Sequence, residues 1–107
     1  MAREQLQTLS EPMYFTLLSL IRPMHGYEIM QTVSVISGGR VKVGAGTLYA
    51  LLTRFEKEEI ILRLSDNGRR KTYMITEKGR NLLDREYARL KDSISAYDNY
   101  FSEENKK

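Results

Sequence analysis

The sequence predicts a mainly helical α+β fold, with three helices, a β-hairpin and a long last helix in one chain of 107 residues. Three observations predict it. Apolar residues recur at helical spacing in three successive segments before residue 58. The period then switches from 3.6 to 2 on either side of an Asn-Gly dipeptide, the mark of a hairpin. A final segment, 80–101, returns to helical spacing, but with a 3.5-residue repeat.

The first helix starts at Ser10-Glu11-Pro12, a capping hydroxyl followed by proline in the first turn. Met13, Leu17, Leu20 and Ile21 form its apolar stripe, and Arg22-Pro23-Met24 ends it, because a residue before proline avoids helical angles. The second runs from about Gly26, with Ile29, Met30, Val33 and Ile36 on one face, and stops at Ser37-Gly38-Gly39, where glycine supplies a left-handed exit. Arg40-Val41-Lys42-Val43 then leads to Gly44-Ala45-Gly46 and a third helix. Its buried face is Leu48, Leu51, Leu52 and Phe55, and it fades near Glu58-Glu59. Leu62 and Leu64 next alternate with Arg63 and Ser65, and Tyr73 and Ile75 with Thr72 and Met74, around the turn Asp66-Asn67-Gly68. Thr76-Glu77 reads as the capped start of the last helix. Three helices plus a hairpin make a winged helix-turn-helix, so residues 1–79 are expected to form that domain and 80–107 a dimerisation helix and tail.

Composition narrows the function. Hydrophobic residues make up 41%, enough for one core, and a chain this short often gains stability by oligomerising. The absence of cysteine excludes disulfides and zinc–thiolate sites, and one histidine does not make a metal site. No signal peptide or membrane-spanning run is apparent, so a cytoplasmic protein without cofactor is expected. Net charge is only +3, but residues 38–80 hold ten Lys/Arg against five Asp/Glu, while the segments on either side are each at −1. A polyanion would be met by that middle third.

The third helix leaves Thr47, Tyr49, Ala50, Thr53, Arg54 and Lys57 opposite its buried face, with no acidic residue between Gly44 and Phe55. Alanine and threonine methyls can touch thymine methyls, and hydroxyls and arginine can bond base edges or phosphates in a major groove. The hairpin tip carries Arg69-Arg70-Lys71, three cations that phosphates would neutralise. Double-stranded DNA is therefore the expected partner. The alternative is a winged-helix adaptor that binds protein and no DNA. Two enzymatic constellations are set aside. His25 has no serine, cysteine or paired carboxylate to act with as a general base. Gly44-Ala45-Gly46 lacks the Lys-Ser/Thr of a phosphate-binding loop, and reads as a tight turn that lets backbone approach something closely.

Four segments together resemble one family, the PadR-like transcriptional regulators. They are His25-Gly26-Tyr27-Glu28-Ile29, Gly46-Thr47-Leu48-Tyr49, Arg70-Lys71-Thr72-Tyr73 and Thr76-Glu77-Lys78-Gly79, within about residues 10–80. The resemblance implies a repressor that binds a palindromic operator as a dimer, with Tyr27, Thr47 and Tyr49 near the DNA; Lys42, in the basic middle third, is a further candidate DNA contact. The resemblance also implies one C-terminal dimerisation helix, and in some members an aromatic or multidrug-like effector between protomers. The family usually has glycine where Glu59 stands. Glu59 would be strained in a left-handed cap, so the third helix is expected to end differently here. The chain also lacks tryptophan, a common stacking surface for flat effectors.

In the last helix Leu83, Tyr87, Leu90, Ile94, Tyr97 and Phe101 are spaced 4, 3, 4, 3 and 4. Such a repeat keeps one seam facing one partner helix, so these six are the expected homodimer interface. Tyr87, Leu90, Ile94 and Tyr97 would line a site for a small aromatic or cationic effector, or simply pack against the partner.

Overall fold

The computed structural model describes residues 8–64 and 70–105. Its order is α1 (Glu11–Ser19), β1 (Met24–His25), α2 (Gly26–Ile36), α3 (Ala45–Lys57), β2 (Ile61–Leu64), β3 (Thr72–Ile75) and α4 (Glu77–Asn105). Four helices with a small antiparallel sheet of order β1-β3-β2 give the winged-helix architecture. Ser10 caps α1, its hydroxyl accepting from Met13 N–H at 3.4 Å. The helix ends at Ser19, earlier than the proline alone would require. Its last turn tightens, Leu20 N–H donating to Leu17 carbonyl at 3.0 Å, which frees the Leu20 carbonyl to accept from Ile75 N–H of β3 at 2.9 Å. The chain then enters β1, which pairs Met24 with Tyr73 and His25 with Thr72 and makes β3 the central strand. This strand is absent from the sequence reading, since two residues carry no periodicity.

Gly38 and Gly39, at φ 64° and 80°, turn the chain out of α2. Ser37 holds the following loop, its hydroxyl accepting from Val41 N–H at 3.0 Å. Val41 and Val43 are buried and Lys42 between them is exposed. The core gathers around Leu17, Leu20, Ile29, Val33, Leu48, Leu52 and Phe55, closed by Ile60, Ile61, Tyr73 and Ile75. Ile36 and Ile21, expected on apolar stripes, lie at the surface. In β2 the alternation runs in the other phase. Ile61 faces Ile75 and Arg63 faces Tyr73, so Ile61 is buried and Leu62 exposed. The sheet's inner face is set by Tyr73 and Ile75 on the central strand, and β2 takes the register that matches them.

The end of α3 corrects the expectation for Glu59. The residue stands at φ 62°, in the left-handed exit that glycine usually fills. Ile60 N–H donates to Phe55 carbonyl at 2.9 Å and Glu59 N–H to Glu56 carbonyl at 3.1 Å, the paired bonds of a Schellman cap, with buried Ile60 beyond it. Thr76 Oγ1 lies 2.7 Å from the Glu59 carbonyl and holds the corner from the other side. Those bonds outweigh a left-handed penalty of roughly 1 kcal/mol. Glu59→Gly should therefore stabilise the protein by about 0.5–1 kcal/mol, a rise of a few degrees in Tm by circular dichroism. An unchanged or lower Tm would show that glutamate is not strained there.

Thr76 opens α4, its hydroxyl accepting from Gly79 N–H at 3.1 Å. Leu82, Leu83 and Glu86 pack into the protomer, and every residue from Tyr87 to Asn105 is exposed. Leu83, placed in the sequence on the partner-facing seam, is buried at 8% exposure in the protomer's own core. The repeat thus begins as intramolecular packing and becomes uncovered four residues later, at Tyr87. The Glu86 carboxylate, 3% exposed, is held below the usual carboxylate range by its hydrogen bond to Arg89, against the opposing effect of burial. Leu9 N–H adds a further bond.

Candidate nucleic-acid interface

The exposed side of α3 is built by the burial of the other. Leu48, Leu52 and Phe55 are sealed in the core, which leaves Thr47, Tyr49, Ala50 and Thr53 exposed along the opposite face. Thr53 Oγ1 donates back to the Tyr49 carbonyl at 2.8 Å, so its proton is used within the helix and its oxygen is left to accept. Arg54 is drawn away from this face by Glu58, at 2.9 Å, an acidic residue at the far end of the helix. Lys42 is exposed on the loop that leads into α3.

Tyr27, Tyr49, Arg70 and Lys71, from three separate places in the sequence, line one open cleft of about 640 Å³. The cleft lies where α2 begins, β1 pairs with β3, and the wing rejoins the sheet. Arg69 and the turn Asp66-Asn67-Gly68 lie outside the described residues. His25 and Glu28 also line the cleft, and sequence reasoning did not place them in the site. Glu28 closes a capping box, accepting from His25 N–H at 3.1 Å. His25 Nε2 stands 3.2 Å from Arg70 Nη1 and 3.3 Å from Glu28 Oε1, so it ties the wing's arginine to the start of α2. The available signal was the glutamate three residues after His25. On the central strand, burial raises the Tyr73 phenol's pKa, against the lowering effect of nearby Arg63.

A second groove, of about 310 Å³, runs between α1 and α4. Tyr14, Phe15, Leu90 and Ile94 give it apolar walls, and Glu11 and Glu86 lie in it paired with Arg40 and Arg89. Two of the four residues expected around an effector, Leu90 and Ile94, meet there, while Tyr87 and Tyr97 stand apart on the open helix. Among the described residues, no group of three or more His, Cys, Asp or Glu could hold a metal ion, and no helix is long and apolar enough to cross a membrane.

The model of the transcriptional regulator PadR-like family matches residues 16–85, which takes in α2, α3, the sheet and the first turns of α4. The chain belongs to the PadR-like family of transcriptional regulators. It is 36% identical over 87 residues to an uncharacterized protein of Lysinibacillus sphaericus, covering 75% of this chain and 80% of that one. It is 39% identical over 64 residues to an uncharacterized 37.1 kDa protein in transposon TN4556 of Streptomyces fradiae. That match covers 60% of this chain but only 18% of the relative, so the chain spans about a fifth of its length. Among solved structures, a PadR-like transcription factor from Bacteroides fragilis superposes with TM-score 0.67 at 26% identity, covering 83% of this chain and 88% of the other. The family is one of transcriptional regulators. It also gives the exposed face of α3 and the adjoining cleft their functional setting.

Proposed function

We propose that this PadR-like protein is a repressor that binds a palindromic operator as a homodimer, with the exposed face of α3 in the major groove. The carrying observation is that the acid-free face of Thr47, Tyr49, Ala50 and Thr53 adjoins a cleft that already holds Tyr27, Arg70 and Lys71. Small side chains can approach base edges, while the cations and phenols beside them suit phosphates. Two copies joined through α4 would present two such faces, so the half-sites should lie one or two DNA turns apart. A small aromatic or cationic effector would act where Leu90 and Ile94 adjoin α1, at the base of the same joining helix. Its binding there would couple to how the two α3 helices are spaced. DNA is the target, so the protein works in the cytoplasm.

Selection from a random duplex pool tests the proposal, and a two-fold symmetric enriched site is the expected result. On that site, Ala50→Glu should abolish binding, because a carboxylate would be pressed against the groove. Replacing Arg70 and Lys71 together with alanine should weaken binding to all duplexes. It should also lower the salt slope by about 0.9 for each phosphate that is no longer neutralised. A pool with no enriched sequence, or an Ala50→Glu protein that binds like wild type, would overturn the assignment of α3.

A further inference from the structure

We propose that Gly26 is a positioning residue for Tyr49, and that the missing side chain at Gly26 sets where the Tyr49 phenol stands over the DNA-facing cleft. The inference rests on the reading of α3 as the DNA-contacting helix. Gly26 is the first residue of α2 and is buried. Its backbone does not demand glycine, since the positive-φ glycines among the described residues are Gly38 and Gly39. Its reason must therefore lie in space. A Cβ built at Gly26 would stand 2.6 Å from Tyr49 Oη, 3.1 Å from Cζ and 3.5 Å from Cε1, and those three nearest atoms all belong to Tyr49. The tip of the phenol thus occupies the volume a side chain would take, while the ring remains 50% exposed on its other side.

The seat joins two segments more than twenty residues apart, His25-Gly26-Tyr27 and Thr47-Leu48-Tyr49. It also fixes the phenol relative to the other cleft residues. Tyr27 adjoins Gly26 in the chain, and Arg70 and Lys71 line the same cleft. An alanine methyl would force Tyr49 outward by about 1 Å to regain an ordinary contact distance. Because the atom displaced is the far end of a half-exposed side chain, the fold can yield there. A binding constellation, by contrast, tolerates only about half an ångström of displacement.

The test combines a double-mutant cycle with a spectrum taken without DNA. In protein labelled with 3-fluorotyrosine, the Tyr49 fluorine resonance is identified by its loss in Tyr49→Phe. Gly26→Ala should shift that resonance and lower affinity for the selected operator about tenfold, with Tm changed by only a few degrees. In a Tyr49→Ala background, Gly26→Ala should cost no further affinity, so the two effects are coupled and not additive. An unmoved resonance, or additive losses, would overturn the role of Gly26. A Tyr49→Ala protein that binds the operator like wild type would instead overturn the reading of α3 on which the inference rests. Should Gly26→Ala alone fail to fold, Gly26→Ala with Tyr49→Ala must recover the Tm of Tyr49→Ala, and failure to recover it also overturns the proposal.

Discussion

Gly79→Ala should lower Tm by about 10–20 °C, a loss of roughly 3 kcal/mol for a chain of this size. A Cβ there would lie 2.3 Å from the Ile60 carbonyl oxygen and 2.7 Å from Ile75 Cγ1. Neither neighbour can yield cheaply. The Ile60 carbonyl accepts from Thr76 N–H at 3.0 Å and lies 2.9 Å from Thr76 Oγ1, so it is held from the segment that starts α4. Ile75 is buried on the central strand and donates its N–H to Leu20. Moving either group would break the corner where α3, the sheet and α4 meet. Gly46→Ala is the control, since a Cβ at Gly46 meets nothing within 4 Å and alanine favours a helix. Circular dichroism melts of the two variants decide the matter. Equal Tm values would show that the close seat of α4 on Ile60 contributes nothing to stability.

Most of the element order was legible because its punctuation is local. Ser10 and Thr76 carry capping hydroxyls, and Gly38-Gly39 supply a left-handed exit, all within four residues of what they control. Features that depend on a partner elsewhere in the chain were not legible. Strand β1 exists only because Thr72 and Tyr73 are there to pair with it. The phase of β2 is ambiguous in the run Ile60-Ile61-Leu62, and Ile75 across the ladder decides it. Glu59 was expected to change how α3 ends, but the corner that Thr76 and Ile60 complete holds it left-handed. In the candidate site, Tyr27, Tyr49, Arg70 and Lys71 were each nameable from sequence. That they share one cleft with His25 and Glu28 follows from the β1–β3 pairing, which no local pattern announces.

The same distinction bears on α4, where Ile94→Asp should convert a dimer to a monomer and abolish operator binding. Among the described residues, α4 is exposed from Tyr87 onward, and Tyr87, Leu90, Ile94, Tyr97, Tyr100 and Phe101 on it are all large and 38–68% exposed. Monomeric soluble proteins rarely leave so continuous an apolar stripe in water, and unsupported helical turns of this length are marginal on their own. Neighbouring rings already group along the stripe, Tyr97 and Phe101 at 4.6 Å between centroids. A second copy, related by a two-fold axis, offers an identical stripe with the same 3.5-residue repeat. Ile94 also lines, with Leu90, the groove against α1. An aspartate there would bury an unpaired carboxylate twice, once per protomer. At about 2–3 kcal/mol for each, association should weaken a thousandfold or more. Sedimentation at micromolar concentration should then show monomer, with Tm near that of a dissociated wild type. Leu83→Asp should behave differently and unfold the chain, because Leu83 belongs to the protomer's own core. A wild-type protein that sediments as a monomer at micromolar concentration, or an Ile94→Asp protein that remains a dimer, would remove the seam from the interface.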